Sequence, residues 1–277
     1  MRAAAVQLNS TDDKERNLAT ADRLTRAAAA DGARLVVLPE KFNVLGEADA
    51  LRAGAEPLDG PTIAWARETA RELGIDLVAG SIPERRPGRE RLSNTCVHVG
   101  PDGEVKATYR KVHMFDVVVG GHVYRESATE EPGEGPTAPA LTADAVPLGL
   151  AVCYDLRFPE LFRILALEGA RVIALPAAFT KVTGAAHWEI LVRARAIENQ
   201  AFLIAADQVG RHADGKESFG GSMIVDPWGE VLARAPDEEC FIAADLDLAR
   251  QEEVRVQLPS LANRMPSAYR RLEGVGA

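Results

Sequence analysis

Residues 35–40 read Leu35-Val36-Val37-Leu38-Pro39-Glu40, four apolar residues, a proline and then a carboxylate. A short apolar run with β-branched members and no polar alternation is a strand buried on both faces. Proline stops it, so the glutamate stands just past the sheet. Two other stretches have the same form: Ala107-Thr108-Tyr109-Arg110-Lys111 and Gly149-Leu150-Ala151-Val152-Cys153. Each is a strand that ends in a reactive side chain. Sheet edges are where α/β proteins place binding and catalytic groups, because the scaffold holds them while the following loop leaves room for a ligand.

Working outward, strands alternate with Ala/Arg/Glu-rich helices along most of the chain. Residues 2–8 form a strand; a helix starts at Asp12–Asp13, runs through Ala27–Ala30 and ends at Gly32. A second helix spans Pro61–Leu73, closed by Gly74. Strands follow at 76–82 and 93–99, and later at 148–153, 171–176, 201–206, 219–226, 230–235 and 240–245. Helices are expected from Pro159 and over 185–199. Gly100-Pro101-Asp102-Gly103 and Asp226-Pro227-Trp228-Gly229 are hairpin turns. The stretch 110–140 lacks periodicity, as long functional loops do. Mixed sheets covered by helices account for this pattern, and no repeat or linker divides the chain. Residues 1–277 are expected to form a single α/β domain, two sheets face to face with helices outside. The tail 257–277 is expected to dock on a partner subunit or stay loose.

The 277 residues can bury a core without disulfide or metal staples. A net charge of −9 and a pI near 5.2 argue against a nucleic-acid surface. The single basic cluster, Arg85–Arg91, contains Pro and Gly and no aromatic residue, and is read as a solvated loop. No apolar run is long enough to span a membrane, and the N-terminus turns polar too early for a signal peptide. Cys96, Cys153 and Cys240 are far apart with no CxxC pair, which points to a reduced, cytoplasmic setting.

Taken singly, the three strand tips are ordinary. A cysteine often packs as a small hydrophobe, a glutamate can cap a helix, and a lysine can be a surface charge. Chemistry links them. A thiol attacks a carbonyl only as thiolate and needs a nearby base or cation. None of the five histidines (His98, His113, His122, His187, His212) sits in a Cys/His signature. Glutamate can act as base where partial burial raises its pKa, and a buried ammonium balances it and stabilises a developing oxyanion.

Leu38-Pro39-Glu40, Tyr109-Arg110-Lys111-Val112-His113 and Cys153-Tyr154-Asp155-Leu156-Arg157-Phe158-Pro159-Glu160 resemble the three catalytic signatures of the nitrilase, or carbon–nitrogen hydrolase, superfamily. They occur in the family's order, 71 and 42 residues apart. The resemblance implies an αββα sandwich that dimerises into an αββα–αββα assembly. It also implies a Glu40–Lys111–Cys153 catalytic triad. Tyr124-Arg125-Glu126-Ser127 matches the context of a second family glutamate, so Glu126 is expected to position Lys111 and the substrate. In the implied reaction Glu40 takes the Cys153 proton as the sulfur attacks an amide carbon. Lys111 and the backbone N–H of Tyr154 meet the oxyanion, ammonia leaves, and water hydrolyses the thioester. Nothing in these steps calls for a metal or an organic cofactor.

Pro176–Glu189 and Arg193–Asn199 are similar to the branch holding deaminated-glutathione amidase and omega-amidase, which cleave terminal amides of small carboxylate-bearing 2-oxo acids. Nitrilases proper usually place Trp-Glu after the cysteine, and Tyr154-Asp155 departs from that. The expected substrate is a small carboxylate-bearing amide. Arg157 is the expected carboxylate anchor, the alternative being an ion pair with Asp155 or Glu160. Phe179 and Thr183 are expected to line the pocket, together with Lys41–Asn43 and the loop 117–123. His187–Glu189 reads as helix-start packing. Rival readings are N-carbamoyl amino acid or nitrile hydrolysis on the same machinery, a non-catalytic binding protein on the same fold, and a redox-sensing Cys153.

Overall fold

The computed structural model describes residues 1–268. The first half runs β1 (Arg2–Gln7), α1 (Lys14–Ala30), β2 (Leu35–Val37), α2 (Ala48–Gly54), α3 (Pro61–Leu73), β3 (Asp76–Glu84), β4 (Ser93–Val99) and β5 (Val105–Arg110). A hairpin, β6 (Asp116–Val119) and β7 (His122–Arg125), leads to β8 (Ala140–Leu141) and β9 (Pro147–Leu150). Then come α4 (Pro159–Leu167), β10 (Val172–Ala177), α5 (Lys181–Asn199) and β11 (Phe202–Asp207). The last elements are β12 (Val209–Arg211), β13 (Glu217–Phe219), β14 (Met223–Val225), β15 (Val231–Arg234), β16 (Cys240–Asp245) and α6 (Leu248–Gln257).

Two six-stranded sheets result, ordered β16-β1-β2-β3-β4-β5 and β15-β14-β11-β10-β9-β8. In each, three central strands are parallel and the outer pairings antiparallel. The sheets stack face to face, and alternation along the strands explains why both faces are dry. Ala3, Ala5, Leu35 and Val37 point into the inter-sheet core with Leu148, Leu150, Val172 and Ile204. Ala4, Val6, Val36 and Leu38 point outward against Ala21, Leu24, Ile63 and Ala66 of α1 and α3. α5 covers the second sheet, with Trp188, Val192 and Ala196 buried at helical spacing. This is the expected αββα sandwich.

Several expected elements differ in detail. The strand expected over 219–226 is broken because Gly220 and Gly221 adopt left-handed φ of 76° and 63°, so β13 stops at Phe219 and β14 begins at Met223. The stretch 110–140 is not one irregular loop but contains the β6–β7 hairpin, turned at Gly120-Gly121. α5 starts at Lys181, which puts His187–Glu189 inside the helix, and buried Trp188 donates its Nε1–H to the Gly221 carbonyl at 2.9 Å. In the tail, Gln200 donates to the Leu258 carbonyl at 2.6 Å; residues 269–277 lie outside the described residues.

Candidate active site

The carboxyl ends of the parallel strands of both sheets meet at one end of the sandwich, where open sheets bind ligands. Beyond β2 the chain is steered by a bulge in β3 between Val78 and Ser81. Gly80, at φ 43°, lies so close that a Cβ there would sit 2.0 Å from the Pro39 carbonyl oxygen. Ser81 N–H donates to that carbonyl at 3.3 Å, and Ser81 Oγ accepts from Lys41 N–H at 3.0 Å. The second sheet grips the same residue: Glu40 N–H donates to Ala177 O at 3.3 Å, and Gln208 Nε2 donates to Glu40 O at 3.0 Å. The Glu40 carboxylate is thereby held between the layers. Oε1 accepts from Asn94 Nδ2 at 2.7 Å and Lys111 Nζ at 3.0 Å, and Oε2 accepts from the Ala178 N–H at 2.9 Å.

Lys111 follows β5 directly and is buried. Its ammonium also touches both oxygens of Glu126, at 2.9 and 2.8 Å, and Glu126 Oε2 accepts from Phe115 N–H at 2.7 Å. Burial alone would push Lys111 down, but Glu126 and Glu40 hold it well above its ordinary range. A second lysine lies behind this pair. Lys41 Nζ is 2.8 Å from Glu130 and 3.5 Å from Glu126. Burial opposes ionisation of Glu126, yet Lys111 and Lys41 together hold its carboxyl below the usual range. Glu130 has less help, and burial, reinforced by Glu126 beside it, pushes its carboxyl up. Two cations thus face two carboxylates and one carboxylic acid. A charge-balanced cluster is the only kind that a dry site tolerates cheaply.

Cys153 lies three residues past β9, at the start of a 3-10 turn over Cys153–Arg157. Its φ of 47° is left-handed, a strained conformation for a residue with a side chain. Asp155 holds it there. One oxygen accepts from Val152 N–H at 2.8 Å and Tyr109 Oη–H at 2.7 Å, and the other contacts His113 Nδ1 at 2.7 Å. This carboxylate ties the turn bearing the sulfur to the strand bearing Lys111. The thiol reaches the Glu40 carboxylate, and burial together with that negative charge pushes it well above the ordinary thiol range, against the pull of Lys111. The resting group is therefore a thiol whose proton already faces a carboxylate. Tyr154 N–H lies in the first turn of the 3-10 segment, where backbone donors have no partner within the helix. Behind the site, Asp207 Oδ1 accepts from Phe179 N–H at 2.8 Å, and burial pushes the Asp207 carboxyl well up.

A profile of the carbon–nitrogen hydrolase family matches residues 2–256. The chain belongs to this family. Bovine (Bos taurus) deaminated glutathione amidase is 42% identical over 271 residues, covering 96% of this chain and 82% of that protein. Omega-amidase NIT2 of Danio rerio is 39% identical over 272 residues, covering 97% and 96%. Among solved structures, the C. elegans NitFhit protein superposes with a TM-score of 0.89 at 35% identity, over 97% of this chain and 66% of that one. The protein is thus a hydrolase of non-peptide carbon–nitrogen bonds in amides.

In this carbon–nitrogen hydrolase Glu40, Lys111 and Cys153 border a cavity of about 390 Å³, within the range of small-molecule sites. Glu126, Tyr154, Phe179 and Thr183 also line it. Arg157 is not among the lining residues. Its guanidinium lies over the rings of Phe179 and Tyr154, 5.2 and 6.0 Å from their centres, and contacts His187 Nδ1 at 3.3 Å. Nor does it pair with Asp155, which is turned inward to Tyr109 and His113. Of the pocket-shaping segments, Lys41 and Val123 reach the cavity, while Phe42 and Asn43 are buried beneath it. Sequence reasoning did not find Asn94, Asp155, Glu130 or Gln208. Only Asp155, inside the Cys153–Glu160 motif, carried a signal.

Proposed function

We propose that this chain hydrolyses the terminal amide of a small carboxylate-bearing acid through a Cys153 thioester, releasing ammonia. The carrying observation is that one carboxylate, Glu40, touches the Cys153 thiol and the Lys111 ammonium together on the wall of the cavity. Glu40 accepts the thiol proton as the sulfur bonds to the amide carbon. The carbonyl electrons move onto oxygen, which meets Lys111 Nζ and the Tyr154 N–H. Glu40 returns the proton to nitrogen as the C–N bond breaks. Water, deprotonated by Glu40, then adds to the thioester and the thiol is regenerated. Glu126 orients Lys111 and keeps its charge balanced. Because the thiol is held protonated, sulfur attack and proton transfer run together rather than through a stored thiolate.

The substrate class follows the relatives, a deaminated glutathione amidase and an omega-amidase. The two sheets share one core, which supports reading the chain as one domain, and its three free cysteines suit a reducing, cytoplasmic setting. An exposed apolar patch on α5 supports a homodimer. The test is an ammonia-release screen over small amides with and without a carboxylate. Wild-type protein should favour the carboxylate-bearing members, and Cys153→Ala should release none. Ammonia release that survives Cys153→Ala defeats the mechanism, and carbon dioxide released alongside ammonia would move the substrate to the N-carbamoyl amino acids.

A further inference from the structure

If the substrate carries a carboxylate, a cation must receive it, and Arg157 does not line the cavity. Four cationic side chains do: Lys41, Lys111, Lys216 and Arg125. Three are already neutralised. Lys111 and Lys41 are balanced by Glu40 and Glu126 within the buried cluster, and Lys216 is held by Asp214 at 2.8 Å and Glu47 at 3.1 Å. Arg125 makes no side-chain ion pair or hydrogen bond to another described residue. Being exposed and a lining residue, it stands at the rim.

The hairpin that carries Arg125 leans on the residue next to the nucleophile. Phe115 packs against Tyr154 with ring centres 5.0 Å apart and against Tyr124 at the same distance, and Lys216 Nζ lies 5.9 Å from the Tyr124 ring centre. The Gly120-Gly121 turn at the other end approaches Val182 at the start of α5. β7 is thus fixed as one wall of the cavity, with its last residue, Arg125, immediately before Glu126. A guanidinium presents a planar fork that pairs with both oxygens of a carboxylate.

We infer that Arg125 is the specificity-determining cation of this hydrolase, receiving the substrate carboxylate at the rim while the amide reaches Cys153 at the wall. This rests on the carboxylate-bearing substrate class proposed above. It makes the β6–β7 hairpin, rather than the turn after the nucleophile, the element that selects for charge.

The test compares the monoamide of a five-carbon dicarboxylic acid with the uncharged straight-chain amide of equal length, by ammonia release. The quantity read is the ratio of their kcat/KM values in wild type, Arg125→Gln, Arg125→Lys and Arg157→Gln. Arg125→Gln should lower the ratio about 10- to 100-fold, mainly through KM for the acidic amide, with Arg125→Lys in between. An unchanged ratio, whether both amides suffer alike or neither does, overturns the assignment. So does a fall confined to Arg157→Gln. A wild-type enzyme with no preference for the acidic amide removes the substrate class itself, and the anchor with it, and is told apart because it shows before any substitution is made.

Discussion

Glu40 has two effects on Cys153 that oppose one another. In the proposed mechanism it is the acceptor that lets the thiol attack, while its charge helps keep the thiol protonated at rest. Replacing it by glutamine should separate the two. Amide hydrolysis should fall by at least about 100-fold, the usual weight of a general base. Alkylation of Cys153 by iodoacetamide at pH 8 should instead speed up, because Lys111 then acts on the sulfur unopposed; both rates falling together would mean that Glu40 mainly holds the structure. Asp207 offers a simpler titration. Its folded pKa lies above the unfolded value, so the folded chain retains a proton that the unfolded chain loses. Its contribution is complete below the ordinary aspartate range and drains away as pH rises toward the folded pKa. Asp207→Asn, which mimics the protonated form, should melt higher than wild type at pH 7.5, and the gap should close below about pH 4. A wild type that melts higher at pH 7.5 would show Asp207 ionised.

At the scale of elements, the Cys153–Arg157 turn and the end of β5 are joined through Asp155, whose carboxylate meets the Val152 N–H, Tyr109 Oη–H and His113 Nδ1. Asp155→Ala strands these buried donors and should cost about 2–5 kcal/mol in urea unfolding. A loss under about 1 kcal/mol would mean that the strained cysteine is held by packing. The legibility of the fold also divides by element. β2 and β9 were readable with their reactive tips because buried parallel strands are unbroken apolar runs, the antiparallel edge strand β5 through its Tyr109–His113 motif, and α3 because Pro61 and Gly74 mark its ends. α6 was not seen, since it buries little beyond Gln251 and Val254 and shows no apolar stripe. The β6–β7 hairpin was missed because Val117-Val118-Val119 does not alternate, although Gly120-Gly121 is a strong turn signal. Glu40, Lys111, Cys153 and Glu126 were found through motif, whereas Asn94, Glu130 and Gln208 come from elements whose sequences carry no local sign of the contact. Arg157 was misplaced because spacing from the nucleophile says nothing of which side of a turn a long side chain takes.

For the molecule as a whole, Ile190 and Ile197 on α5 are 68% and 45% exposed, and Trp228, in the turn beside Ile197, is 54% exposed. Such a patch is unusual on a monomer. The protein should sediment as a species of twice 29.7 kDa, and Ile190→Asp should shift it toward the monomer; a wild type that stays monomeric at high concentration refutes the dimer.

The proposed catalytic groups and the donors that hold Glu40 also come from both layers, with Glu40, Asn94 and Lys111 on one sheet and Cys153 and Ala178 on the other. The few bonds at Glu40 and Gln208 that pin the layers together there are therefore a registration mark. A slip of one layer past the other by an ångström or so would part base from sulfur while every strand stayed paired. Turnover should accordingly fade at urea concentrations that leave the far-ultraviolet circular dichroism intact, making activity a finer gauge of sheet alignment than any signal from the backbone.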